Sequence, residues 1–401
     1  PVHLLRPCMA VLDELARNYG ATVILCTATQ PALRRQDAAL PQTQDMQRKG
    51  VRDGLDIPDT RELAPDPAGL YEKLRRVAVE WRPEPVTDAE IATAFDAQEQ
   101  MLCIVNSRAH ARDLFEAVRD LAGASHLSTL MCARHRRKVL EHVRSELAQG
   151  KPVRLVATSL IEAGVDVSFP EVWRAAAGIS NIAQAAGRCN RSGELGELGR
   201  AFGKAVVFEP APVEGRRSVP HDLTPFYDAA RNVLRNQALD PLGLEGVAEY
   251  YRSLYQRNNG YAGLDRAMLN GAPYEILRAI RVNIDRTGIN IPFLSIADAF
   301  RLIDDRMEPV LIAFDAEAEA AIEALRRTEF PSVGIRRRLQ QYVVPIPARV
   351  RAAMLEHGVV RPVRADYGDQ FVELVDSGLY DREVGFQLPD RDWRSNEANI
   401  F

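Results

Sequence analysis

Between residues 86 and 210 the chain changes hydrophobic period again and again, and this alternation limits its folds more than any other feature. AEIATAFDAQE has helical periodicity, QMLCIVNS reads as strand, RAHARDLFEAVRDLAG as helix and SHLSTLM as strand. CARHRRKVLEHVRSELAQG follows as a basic helix stopped at Gly150, then VRLVATS as strand, EVWRAAAG, the small-residue helix NIAQAAGR and the strand FGKAVVFEP. Strands that alternate with helices at this spacing call for a mostly parallel sheet covered on both faces, an α/β domain over residues 86–210.

The flanks are less regular. LLRPCMAVLDELARNYG is an amphipathic helix ending at glycine, ATVILCTAT a short buried strand, and residues 41–69 a polar excursion rich in turn formers. With YEKLRRVAVEW these make residues 1–85 the last part of a first α/β domain. Beyond 210, APVEGRRSVPHD reads as a linker, and helices with aromatic anchors carry a connector over 211–330, in which MEPVLIAFDAEAEAAIEALRRTEF reads as a strand followed by a long amphipathic helix. Residues 331–401 form a small terminal domain, with QYVVPI, QFVELV and GFQL as its strands. A length of 401 residues with 46% hydrophobic content suffices for two or three such domains.

Charge and cysteine usage narrow the setting. A formal net charge of -4 excludes a generally basic nucleic-acid wrapper but leaves room for a local positive channel. Five scattered cysteines without a CxxC pair point to a reducing cytoplasm, with neither a disulfide framework nor a zinc cluster. No signal peptide or membrane-length apolar run is visible. The start at Pro1, almost directly in a helix, is expected of a processed product or of a piece of something larger.

In open α/β sheets, ligands bind beyond the carboxyl ends of the strands. Three segments put chemically useful residues there. LCTATQPAL brings Thr27 and Thr29 off a strand end; VATSLIEAGVDVSFP brings Thr158, Ser159, Gly164 and Asp166; NIAQAAGRCNRSGE brings Gln184, Arg188 and Arg191 at i, i+4 and i+7, on one side of a helix. Asp166 is placed to accept from a sugar hydroxyl, and the two guanidiniums to neutralise a transferred phosphoryl group. Plain structural roles stay open for the same residues: a threonine turn, an Asx turn, a solvated polar face.

In order, TAT, ATSLIEAGVD and QAAGRCNR resemble motifs III, V and VI of superfamily 2 helicases, the last matching QxxGRxxR at Gln184, Gly187, Arg188 and Arg191. CTATQPAL, VNSRAHARDLFEAV and GRCNRSGE further resemble the helicase part of the CRISPR-associated helicase-nucleases of type I systems. That resemblance implies the end of a first RecA-like domain followed by a complete second one. It also implies that Thr27 and Thr29 couple nucleotide state to closure, that Gln184, Arg188 and Arg191 act on the ATP phosphates, and that Asp166 meets the ribose while Gly164 allows close backbone packing. Nucleic-acid contacts would fall to Ser107, Arg108, Thr158, Ser159 and the basic run Arg134, Arg136, Arg137 and Lys138.

The implied activity is ATP- and magnesium-dependent translocation on single-stranded DNA in CRISPR interference, with a guide-RNA surveillance complex as partner. Neither a GxxxxGK[ST] loop nor a DExH-type segment occurs in the sequence. The resemblance therefore places the start just after the acidic motif, with the nuclease and the first half of the first RecA-like domain supplied elsewhere. It makes this piece inactive alone, with no nucleotide stably bound. His221 and Asp222 do not form a metal motif, lacking a multi-histidine neighbourhood. A helicase of another pathway, acting on RNA or in DNA repair, and a non-enzymatic nucleic-acid-binding or interaction piece remain the alternatives.

Overall fold

The apolar runs of the middle region lie side by side in the structure, a computed structural model that describes residues 1–197, 202–214, 216–257, 260–285, 288–302 and 307–387. Six strands, β1 (Val77–Val86), β2 (Gln100–Val105), β3 (Ala124–Leu127), β4 (Val153–Thr158), β5 (Glu171–Ala175) and β6 (Gly203–Pro210), form one sheet in the order β1-β6-β5-β2-β4-β3. Every neighbouring pair is parallel. Each crossover therefore needs a covering element, and α2 (Asp88–Ala97), α3 (Arg108–Val118) and α4 (Ala133–Ala148) are three of these.

Period-2 alternation divides β2 between two cores. Met101, Cys103 and Val105 join Ile91, Phe95 and Phe115, while Leu102 and Ile104 join Val143, Leu155 and Phe169 on the other face. β4 is buried along its whole length, including Arg154. That guanidinium survives there because it donates to the carbonyls of Phe95 and Ala122, both at 2.6 Å. Ordinary helix-end and turn acceptors thus become partners for a buried cation.

The sheet starts nine residues before the expected boundary at 86, since the VAVEW of YEKLRRVAVEW begins β1, while its YEKL closes the helix Pro67–Leu74. The chain divides into two compact units, one of residues 1–75, 178–183 and 222–305, the other of 76–177, 184–221 and 306–401. The first holds α1 (Leu5–Asn18); its later part supplies two helices, Thr224–Arg235 and Leu244–Arg257. ATVILCTAT is not a strand in it: residues 21–27 carry no ladder, and Ile24 is 64% exposed. A short apolar run becomes a strand only by pairing, and among the described residues no strand adjoins it.

The terminal domain also begins earlier than residue 331. β7 (Met307–Leu311), β8 (Val343–Pro347), β9 (Val360–Pro362) and β10 (Val372–Leu374) make a mixed sheet in the order β8-β7-β10-β9. MEPVLI is thus a central strand of this sheet and not part of a helical connector. Val310, Phe314, Tyr342, Val344 and Met354 share a core with Leu130 and Cys132, which follow β3.

A hairpin of β11 (Tyr380–Asp381) and β12 (Gly385–Phe386) completes this junction. The Tyr380 hydroxyl accepts from Cys132 N–H at 3.0 Å and pairs with His135 Nδ1 at 2.9 Å. His135 Nε2 lies 2.9 Å from the Arg382 carbonyl, and the ring stacks on Phe314 with centroids 4.8 Å apart. Those partners define a neutral imidazole that donates from Nε2 and accepts at Nδ1. At Gly385, φ is +84° and a side-chain Cβ would stand 2.5 Å from the Leu130 carbonyl, so only glycine lets the hairpin lie this close.

Burial pushes the His135 imidazole down from 6.5 to about 4, although the Arg382 carbonyl opposes the shift. In the unfolded chain the ring takes a proton below about pH 6.5, whereas in the fold it does so only near pH 4. The unfolded state therefore binds more protons in that window, and stability falls with pH by about 3 kcal/mol at its lower end. Thermal melts at pH 6.5 and 4.5 should show a smaller loss for His135→Gln than for the unchanged chain. Equal losses would exclude His135 as the titrating group.

Candidate functional site

At the carboxyl edge of the parallel sheet, β5 carries an arginine into the apolar interior. Arg174 Nε stands 2.7 Å from Glu162 Oε1, and their side chains are 2% and 3% exposed. Arg174 Nη1 also donates to Asn106 Oδ1 at 2.5 Å and to the Ala175 carbonyl at 2.7 Å, while Asn106 Nδ2 donates to the Ala176 carbonyl at 2.8 Å. This network links the ends of β2 and β5 to the turn after β4. It was not among the residues singled out from sequence, although a glutamate and an arginine inside apolar segments were its signal.

Arg188 joins the same turn from the other side. The helix expected to carry Gln184, Arg188 and Arg191 on one face is α5 (Ile179–Ala186), and it stops before either arginine. Past Gly187 the backbone instead pairs with Phe169, whose N–H donates to the Arg188 carbonyl and whose carbonyl accepts from Asn190 N–H, both at 2.9 Å. The Arg188 side chain, 8% exposed, turns inward and donates to the carbonyls of Val165 and, at 2.6 Å, Glu162. Its Nε has no partner among the described residues. Burial, then the nearby Arg191 charge, lowers its pKa.

Arg191 remains outside. Its Nε meets Asp166 Oδ1 at 3.1 Å, with side chains 41% and 83% exposed, and its N–H donates to Ser168 Oγ at 2.9 Å. Gln184, on α5, is exposed. Gly164 adopts φ +69° with nothing within 4 Å of where a Cβ would stand. The turn thus needs glycine for its left-handed backbone, and the close packing expected there is not formed within the chain.

The remaining expected residues separate by exposure. Thr158 is buried at the end of β4 and Ser159 exposed just beyond it. Ser107 caps α3 by accepting from His110 N–H at 3.2 Å, and both it and Arg108 are buried, so neither faces a bound strand in this conformation. Thr27 Oγ1 accepts from Thr29 N–H at 3.4 Å. Thr29 Oγ1 in turn lies 3.2 Å from Ser180 Oγ and 3.4 Å from the Tyr251 hydroxyl. These three hydroxyls lie within the first unit, and Ser180 belongs to the opening turn of α5, whose last residues belong to the second.

The basic run on α4 is largely spoken for. Arg134 Nε and Lys138 Nζ are each 3.6 Å from Asp315, and Arg136 donates to the Met131 carbonyl at 2.7 Å. Among the described residues no group of three or more His, Cys, Asp and Glu side chains is arranged to hold a metal, and no helix is long and apolar enough to cross a membrane.

The parallel α/β domain with these loops at its carboxyl edge resembles the helicase domains of superfamily 2. More particularly it is Cas3-like: residues 97–194 match the family described as CRISPR-associated nuclease/helicase Cas3, C-terminal. That span contains every expected site residue except Thr27 and Thr29. A CRISPR-associated nuclease/helicase Cas3 of Haloferax volcanii is 44% identical over 73 residues, 18% of this chain and 8% of that protein. The crystal structure of T. fusca Cas3-ATP superposes with a TM-score of 0.50 at 16% identity, covering 78% of this chain and 43% of that one. The T. fusca Cas3 crystal structure gives 0.49 at 18% identity, with 80% and 42% covered. At such identities the structural likeness concerns the fold, and this chain spans less than half the length of those proteins.

Removing one partner of a buried ion pair leaves an uncompensated charge. Glu162→Gln should therefore lower the unfolding free energy by about 3 to 5 kcal/mol. Replacing both partners, as in Glu162→Leu with Arg174→Met, should recover most of the loss. Urea unfolding of the three proteins decides it, and a single variant as stable as the parent would remove the pair from its structural role.

Proposed function

We propose that the chain is part of an ATP-driven translocase that moves along single-stranded DNA in CRISPR interference, recruited by a guide-RNA surveillance complex. The observation that carries this reading is the division of labour at the sheet edge: Arg188 is buried and ties down the 162–165 turn, whereas Arg191 and Gln184 stand exposed beside it. A triphosphate suits such a site. Arg191 can exchange its exposed pairing with Asp166 for phosphate oxygens, since an exposed pair is worth only about 0 to 1 kcal/mol. Gln184 can donate to the same oxygens, and Asp166, once released, can accept from a ribose hydroxyl.

A nucleotide bound there would supply the phosphoryl group whose transfer drives stepping. The chain's own contribution is to hold Arg191 where charge develops and to fix the loop beneath it. The sequence has no phosphate-binding loop with its lysine, so the other wall of the site comes from a further domain. Thr29, Ser180 and Tyr251 would anchor α5, making that helix sensitive to closure.

Two measurements bear on this. In the complete protein, Arg191→Ala should lower kcat for ATP hydrolysis by about a hundredfold or more while nucleotide affinity changes little, as for loss of a donor that acts on the transition state. An equal loss of affinity would assign Arg191 to ground-state binding. The 401-residue chain alone should show no DNA-stimulated ATP hydrolysis; robust turnover by a homogeneous preparation would refute the divided site.

A further inference from the structure

Arg137 is the member of the α4 basic run that the fold leaves unengaged. Arg134 and Lys138 share Asp315, Lys138 Nζ also sits 4.6 Å above the Phe314 ring, and Arg136 is half-buried against the Met131 carbonyl. Arg137 is exposed and faces a cavity of about 510 Å³. The opposite wall comes from the terminal sheet domain, through α9 (Val333–Leu339) and the turn after it: Gly334, Arg337, Arg338, Gln340 and Gln341; here α6, α7, α8 and α10 denote Thr224–Arg235, Leu244–Arg257, Ala316–Arg326 and Ala348–Glu356.

Three guanidiniums thus converge on one groove with no carboxylate in its lining. Arg137, Arg337 and Arg338 form no ion pair among the described residues. We infer that this groove, built jointly by α4 and α9, is a binding site for the phosphate backbone of a single nucleic-acid strand. The inference rests on the nucleic-acid part of the function proposed above and moves the contact from the run Arg134–Lys138 to a site half of which lies about 200 residues further along the chain.

The lining selects the occupant. Protein interfaces are held by aromatic or aliphatic anchors in dry pockets, and this groove presents only arginine, glutamine and glycine. A sugar-phosphate chain needs no apolar anchor: guanidinium forks grip its oxygens bidentately, and the two glutamines can donate to phosphate or sugar oxygens. A grip on phosphate and sugar oxygens alone is independent of sequence, as a moving strand requires. Because its walls belong to two sheets, a bound strand would also hold those sheets together.

The test is binding of a mixed-sequence single-stranded oligonucleotide to the full chain, followed by fluorescence anisotropy at several salt concentrations. Arg337 and Arg338 of α9 are exposed, so R337E/R338E should fold as the parent does, and Arg137→Glu tests the other wall separately. R337E/R338E should weaken binding at least tenfold at low salt and flatten the slope of log K against log salt by about 1.4, two phosphates at about 0.7 each. R48E/R52E, an equal charge reversal on the exposed excursion, should change affinity less than threefold.

If the unchanged chain binds no oligonucleotide, the nucleic-acid reading and this site both fail. If it binds and neither groove variant changes affinity or salt slope, the site alone is overturned. Equal losses for the groove and excursion reversals would reduce the effect to net charge and overturn it too. A poly-glutamate chain that binds as tightly as the oligonucleotide and loses the same factor would give the groove to an acidic protein segment instead.

Discussion

Glu162 and Arg174 face each other at 2.7 Å where almost no solvent reaches, and two charges so placed persist only if the remaining polar atoms around them are also satisfied. That requirement shapes the whole carboxyl edge. Asn106 must end β2 where its amide can serve both Arg174 and the Ala176 carbonyl. The turn after β4 must bring Glu162 inward, which turns the Glu162 and Val165 carbonyls toward the Arg188 guanidinium. Once the loop is fixed in this way, Asp166 and Arg191 are left on its outer surface.

The α/β middle region could be read from sequence because its determinants are local. β2 and β4 are almost fully buried, so their runs are apolar apart from Arg154 and the end residues Gln100 and Thr158, and each helix that covers them has its own periodicity. The end of α5 could not be read in that way. Gln184, Arg188 and Arg191 have ideal helical spacing, but a bridge to Phe169, fifteen or more residues upstream, takes the backbone out of the helix after Ala186. Spacing describes what a helix would do if it continued, and only the partner strand decides whether it does.

The basic run on α4 illustrates the same limit in electrostatic form. Its residues are near neighbours in sequence and look equivalent there. Asp315 lies some 180 residues away and neutralises two of them. Which arginine remains free is therefore a property of the packed terminal sheet, whose first strand at Met307–Leu311 is legible as a strand in sequence but not as a member of that sheet. The buried Ser107 and Arg108 make the complementary point: polar residues at a strand end suggest a ligand, and here the helix cap takes the hydroxyl.

The hairpin from Tyr380 to Phe386 has a consequence for the fate of shortened chains. β3 is the last strand of the six-stranded sheet, only four residues long, and such margins carry unpaired backbone groups that recruit foreign strands. The hairpin covers the segment directly after it, with Phe386 N–H donating to the Leu130 carbonyl at 2.8 Å and the Tyr380 hydroxyl receiving Cys132. A polypeptide cut just before Tyr380 would keep both sheets yet bare this seam to water. Its failure would be one of solubility, with molecules adhering to one another through the margin that the hairpin had sheltered.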